Sequence, residues 1–146
     1  MTSNAIWFHR PAVADLNFAN NSMVDHLGIE MTEIGDDYIT ARMPVDHRTV
    51  QPITRVLHGG ASVALAETLG STGAYLCVDP AKYIVAGLEI NANHVRAVRD
   101  GWVTGTARPL HRGRTTQLWE IRIADAAGKL VCISRLTLAV RETPAA

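Results

Sequence analysis

A single carboxylate stands in a long uncharged run. In HGGASVALAETLGSTGAYLCV, residues 58–78, Glu67 is the one charged side chain after the opening histidine. An ionised carboxylate held away from water needs hydrogen bonds, a partner charge or a cleft, because unpaired burial is costly. In a partly dry cleft it becomes a better general base or nucleophile than in water. The same run opens on His58-Gly59-Gly60. The first N–H groups of a helix lack intrahelical acceptors and carry the positive end of its dipole. Such amides suit the oxygen of a polarised carbonyl. A carboxylate and a carbonyl-binding amide together could hydrolyse an activated acyl group. The pattern alone leaves plainer readings open. Glu67 could be structural, bonded to a loop amide or to an arginine across an interface, and the glycine pair could serve only a tight entry into the helix.

The elements that would position these groups follow from periodicity. Residues 59–78 are rich in Ala, Leu and small residues, which predicts a helix of about five turns. It is apolar nearly all round, and such a helix is normally enclosed. Glu67 shares a face with Gly60, Val63, Gly70, Ser71 and Ala74, small enough for a close neighbour or a ligand. Gly59 and Glu67 lie about 12 Å apart along the axis, too far to act on one carbonyl. If both act together, they come from two antiparallel helices in different subunits, which requires an obligate dimer with interfacial sites.

Around this helix the period is two. GIEMTEIGDDYITARMPV reads as a hairpin, followed by an irregular loop over 46–57. IVAGLEINANHV is a strand with Ile84, Ala86, Leu88 and Ile90 facing one way. GWVTGTARPL, QLWEIRIAD and LVCISRLTLAV follow, with Trp119, Ile121 and Ile123 on one side and Glu120 and Arg122 on the other. Strands joined so closely are antiparallel. The fold class is α+β: one long helix against an antiparallel sheet of about five or six strands that curls around it. Residues 1–146 read as one domain, with a short helix over about 11–20 (PAVADLNFAN) and a tail over about 142–146.

Composition excludes several classes. Of 146 residues, 47% are hydrophobic and 19% charged, and 14 basic residues balance 14 acidic ones. No general affinity for nucleic acid or anionic membrane is indicated. The stretch 56–78 is long enough to span a bilayer, but its Glu, glycines and hydroxyls make it too polar. Without a signal-peptide pattern, and with Cys77 and Cys132 in no metal or redox spacing, the expectation is a cytoplasmic protein with reduced thiols and no metal, a single structural disulfide being the alternative. Ser71 lies in GSTG, not in a G-x-S-x-G elbow, so serine hydrolysis is not indicated. The cations are lopsided, twelve Arg against two Lys, and six Arg fall between 96 and 122. Arg suits phosphate, though Arg99, Arg108 and Arg122 read as solvated strand residues. The three Trp read as packing.

QPITRVLHGGASVALAETLGS, GLEINANHVR and RPLHRGRTTQLWEI together resemble the hotdog-fold acyl-CoA thioesterases over roughly residues 25–140. The resemblance is nearest to the 1,4-dihydroxy-2-naphthoyl-CoA hydrolases of menaquinone biosynthesis and the enterobactin-pathway proofreading thioesterases. It implies a hotdog fold, a homodimer with shared sites, commonly a dimer of dimers (a homotetramer), and an acyl-CoA substrate with no separate cofactor. It implies Glu67 as catalytic carboxylate, Gly59 as amide donor from the other subunit, and Ser71 as the hydroxyl that orients water or the carboxylate. Gln51 matches a glutamine near the thioester and His58 the histidine of the HGG motif. His94, Arg96, Arg112, Gly113 and Arg114 match the region that contacts the coenzyme A arm; His94 reads equally as a structural histidine. The family commonly has Q-P-x-G-x-x-H, whereas the run from Gln51 to His58 is one residue longer and lacks that glycine. Arg114 and Thr115 stand where the close branch often has Ser then Arg.

The sequence thus predicts hydrolysis of an aromatic acyl-CoA, naphthoyl- or benzoyl-like, to free acid and coenzyme A. The alternatives are a broad thioesterase for fatty or phenylacetyl-type acyl-CoA and a non-catalytic acyl-CoA binding module.

Overall fold

The computed structural model describes residues 4–17 and 19–146. Its frame is a short helix α1 (Met23–Leu27), strands β1 (Glu30–Ile34) and β2 (Ile39–Pro44), a long helix α2 (Gly59–Leu76), and strands β3 (Tyr83–His94), β4 (Trp102–Arg112), β5 (Thr116–Ala124) and β6 (Leu130–Glu142). The strands form one sheet in the order β1-β2-β4-β5-β6-β3, and every pairing is antiparallel. The expected hairpin is β1–β2, closed through Gly35–Tyr38.

Helix α2 packs along the concave face of this sheet. Leu65, Ala66 and Leu69 are fully buried against Val103, Trp119, Ile121 and Leu136. Each leucine contributes about 1.5–3 kcal/mol by leaving water. Two glycines let the helix come close. A Cβ on Gly70 would lie 2.6 Å from Leu136 Cδ2, and one on Gly73 would lie 2.7 Å from the Trp119 ring. Gly70 therefore belongs to the packed side and not to an open face. Trp119 stacks on Trp7 at 6.2 Å and donates its indole N–H to Gln117. Its role is packing, as the sequence reading had it.

Three expectations are corrected. The helix expected over 11–20 is a single 3-10 turn, Val13–Leu16. Ten residues are too few to hold a helix alone, and Asn17 ends the turn by bonding both the N–H and the C=O of Met31 at 2.7 Å. Phe18, within that expected helix, lies outside the described residues. Helix α2 is not enclosed all round: Ala64, Glu67, Thr68, Ser71 and Thr72 are only partly covered and Tyr75 is exposed. Finally, Ile84, Ala86, Leu88 and Ile90 do not share one face. The register of β3 against β6 slips between Gly87 and Glu89, so Leu88 is an extra residue on the bulged strand. Ile84, Ala86 and Leu88 are exposed, while Val85 and Ile90 turn inward. At the chain end β6 runs to Glu142, and Thr143 still donates its N–H to Lys82.

Candidate active site

The entry to α2 is built by its own histidine. His58 is the N-cap, and its Nδ1 accepts the Gly60 N–H at 2.8 Å. The His58 N–H donates to Thr49 and the His58 carbonyl accepts from Ala61 and Ser62. Among the described residues the Gly59 N–H finds no acceptor. It is the open donor at the positive end of an eighteen-residue helix. Glycine at 59 leaves room for the imidazole of His94, whose Nε2 would lie 2.9 Å from a Cβ there. The end of β3 thus sets an imidazole against the amide.

Two turns further along, Glu67 is half-buried and makes no hydrogen bond or ion pair among the described residues. Its Oε1 lies 2.6 Å from where a Cβ on Gly87 would be. The strand beside the carboxylate gives up its side chain at that point, just before the Leu88 bulge. On its other flank Glu67 lines a cleft of about 280 Å³ with Val63, Ala64, Val24, Leu27 and Ile29. An unpaired carboxylate at the rim of an apolar cleft, reachable by water, is placed to remove a proton from water or to attack a carbonyl carbon. Ser71, one turn on, lines an adjoining cleft, and its hydroxyl makes no hydrogen bond among the described residues. The hydroxyls of Thr68 and Thr72 are spent on the carbonyls of Ala64 and Thr68, each at 2.7 Å.

Gln51 lies in the loop that precedes α2. Its Oε1 accepts the Ile53 N–H at 3.0 Å, and its main chain bonds Val56 and Arg55. It closes the 51–56 turn and lines neither cleft beside α2. The glycine missing from this loop is answered by Arg55, which adopts a left-handed φ of 59°. Short helix α1, capped by Ser22 and ended by left-handed Gly28, forms the far wall of the clefts. Sequence reasoning missed α1 and also Gly87. A lone glycine within a strand pattern was the signal available for Gly87, since it marks a bulge or a close approach.

The five positions expected to bind coenzyme A divide into two groups. His94 and exposed Arg96 lie at the N-terminal end of α2. Arg112, Gly113 and Arg114 lie at its C-terminal end, about 27 Å away along the helix. Arg112 donates to the Ile6 carbonyl and sits beside Cys77. Burial pushes the Cys77 thiol up to about 11, a shift the Arg112 cation opposes. Gly113 and Arg114 line a cleft of about 400 Å³ with Phe8, Asp79 and Lys82. Arg108 pairs with Asp37, Arg122 with Glu120, and Arg99 bonds the Thr54 carbonyl, so these three serve the surface as expected. Both cysteines are free thiols. Among the described residues there is no cluster suited to a metal ion, and no helix is long and apolar enough to cross a membrane.

Residues 55–132 match the Thioesterase superfamily. The chain is 50% identical to the 1,4-dihydroxy-2-naphthoyl-CoA hydrolase of Escherichia coli, covering 92% of this chain and 98% of that protein. It is 51% identical to the proofreading thioesterase EntH of Cronobacter turicensis, with the same coverage. Among solved structures, a thioesterase from Haemophilus influenzae superposes with a TM-score of 0.90 at 51% identity, covering 94% of this chain and 95% of that one.

Proposed function

The chain belongs to the thioesterase superfamily and has its hotdog fold, and from that premise we propose that it hydrolyses an aromatic acyl-CoA at sites shared between two subunits, with Glu67 as the catalytic carboxylate. One observation carries this reading: Glu67 is unpaired, held against Gly87 and set at the rim of an apolar cleft.

Gly59 and Glu67 of one chain are too far apart to share a carbonyl. The architecture offers the way round. Strand β3 is an edge of the sheet, twelve residues long, and carries exposed Ile84 and Leu88. An edge of that length is a template for pairing. Gly87 marks the position of Glu67, and His94 that of Gly59. If β3 pairs with its own copy so that Gly87 faces His94 of the partner subunit, the two-fold axis falls between Ile90 and Asn91. Each Glu67 then meets Gly59 of the partner subunit. The C-terminal end of α2, with Arg112 and Arg114 near it, lies about 14 Å beyond Glu67. Those cations are placed to receive the phosphates at the far end of the coenzyme arm.

In this site the thioester oxygen accepts the Gly59 N–H of the partner subunit, which stabilises its developing charge. Glu67 takes a proton from water as the water attacks the carbonyl carbon, or attacks that carbon itself to form an anhydride that water then opens. The carbon–sulfur bond breaks and coenzyme A leaves as the thiolate, which takes up the proton held by Glu67 or, on the anhydride route, one from water. Ser71 orients the water or the carboxylate. His58 acts indirectly, by holding the helix entry that presents Gly59. The aromatic acyl group is supported by the similarity to a protein named as a 1,4-dihydroxy-2-naphthoyl-CoA hydrolase, and the apolar cleft beside Glu67 has room for one or two rings.

The test is thiol release from benzoyl-CoA and 1,4-dihydroxy-2-naphthoyl-CoA by the wild type, Glu67→Gln and Glu67→Ala. Both variants should fold and associate normally while kcat falls by about 10²–10⁴. Turnover near the wild-type rate in either would remove Glu67 from the mechanism.

A further inference from the structure

The groove beside α2 is divided. The first cleft, about 280 Å³, lies along Gly60, Val63, Ala64 and Glu67. The second, about 370 Å³, lies along Ser71, Thr72 and Tyr75 and is walled by Leu16 and Met31. Among the described residues, two line both: Val24 on α1 and Thr68 on α2. Val24 is partly buried and packed against the core, so its position is fixed. The Thr68 hydroxyl is spent on the Ala64 carbonyl. At the neck the groove therefore offers only apolar contact.

We propose that Val24, standing with Thr68 between the two clefts, sets the size of the acyl group that this thioesterase accepts. The inference rests on Glu67 acting at the acyl carbon, because that places the acyl group in the first cleft. A cavity of about 150 Å³ holds one benzene ring. The first cleft, at about 280 Å³, accordingly takes one or two fused rings or a short alkyl chain. A longer chain, or a larger ring system, has to pass the neck into the second cleft. With a branched side chain from each wall standing at the neck, the enzyme selects compact acyl groups. With the neck open, the groove continues as one apolar channel along the helix.

The experiment measures kcat/KM for benzoyl-CoA and for straight-chain acyl-CoAs from butanoyl to dodecanoyl. The proteins are the wild type, Val24→Ala, Val24→Phe and Thr68→Ala, with folding checked by circular dichroism and association by sedimentation. Val24→Ala and Thr68→Ala should each raise the dodecanoyl-to-benzoyl ratio about tenfold or more, on the scale of one or two methylenes in an apolar pocket. Val24→Phe should lower that ratio. Thr68→Ala lies within α2 and substitutes a better helix former, so at least one widened neck is tested in a folded protein. Unchanged ratios in folded variants that still hydrolyse benzoyl-CoA would overturn the partition and leave the catalytic reading standing. A wild type inert toward every thioester would overturn both.

Discussion

Substituting Gly87 by alanine isolates the placement of the carboxylate from its chemistry. The new Cβ would lie 2.6 Å from Glu67 Oε1 and 3.8 Å from its Cδ. Ordinary contact begins near 3.4 Å, so the oxygen must withdraw by roughly 0.8 Å. A reacting group misplaced by about 1 Å costs as much as about 10²-fold in rate. The expected result is a kcat reduced by about 10- to 100-fold with KM little changed, because the cleft and the coenzyme contacts are untouched. Stability should hold or rise slightly. The obstructing atom is the end of a flexible side chain, and alanine restricts the unfolded chain by about 0.5–1 kcal/mol relative to glycine. Thiol release gives the kinetics and urea unfolding gives the stability. Gly105→Ala is the matched contrast. Its Cβ would press on Leu69 at 2.6 Å, deep in the core, and should cost stability while leaving kcat of the folded fraction near normal. A folded Gly87→Ala enzyme with wild-type kcat would refute the argument that Glu67 works from its position against β3.

Other outcomes follow from the same geometry. Gly73→Ala drives a methyl to 2.7 Å from the rigid Trp119 ring and should destabilise by about 1–3 kcal/mol in urea, despite alanine's helix preference. Mixing Glu67→Ala chains with Gly59→Val chains should restore about a quarter of wild-type activity, since half the dimers are mixed and each mixed dimer has one intact site; no recovery would place both groups in one subunit. Asp46 is held at about 2, below its ordinary 3.8, chiefly by side-chain and backbone hydrogen bonds from Arg48. Its folded value is depressed, so its contribution to stability is full above about pH 4 and is lost as the pH falls through about 2. Asp46→Asn should flatten that part of a stability–pH profile measured by urea unfolding between pH 5 and pH 2. Cys77, with its thiol pushed up to about 11, should react slowly with iodoacetamide at pH 8, followed by mass spectrometry.

Much of this molecule was legible as pattern. The isolated Glu67 and the HGG entry marked the helix and both of its candidate catalytic groups. The alternation in QLWEIRIAD placed Trp119, Ile121 and Ile123 in the core, where each is fully buried. What the pattern could not carry was anything set by a third dimension. One extra residue at Leu88 turns the first half of β3 over relative to the second, and alternation counted along a strand is blind to such a slip. Gly70 belongs to the small-residue face that could take either a close neighbour or a ligand, and it takes the neighbour, packing on Leu136. Helix α1 has five residues, too few for a periodic signal. The Gln51 side-chain oxygen accepts the Ile53 N–H within its own loop, a contact that residue type alone does not reveal.

The backbone at Arg55 has a consequence of its own. A side-chain-bearing residue held at a φ of 59° costs roughly 1–2 kcal/mol over the right-handed form. That tension lies three residues before the cap that presents the Gly59 amide. Glycine at 55 would relax the bend and also slacken the unfolded chain, so the two effects oppose each other in the measured stability. In the folded enzyme only the first survives, leaving a looser tether on the helix entry. Arg55 is therefore a place where natural variation could trade stiffness at the mouth of the site against ease of folding, with Glu67 and the Gly59 amide themselves unchanged.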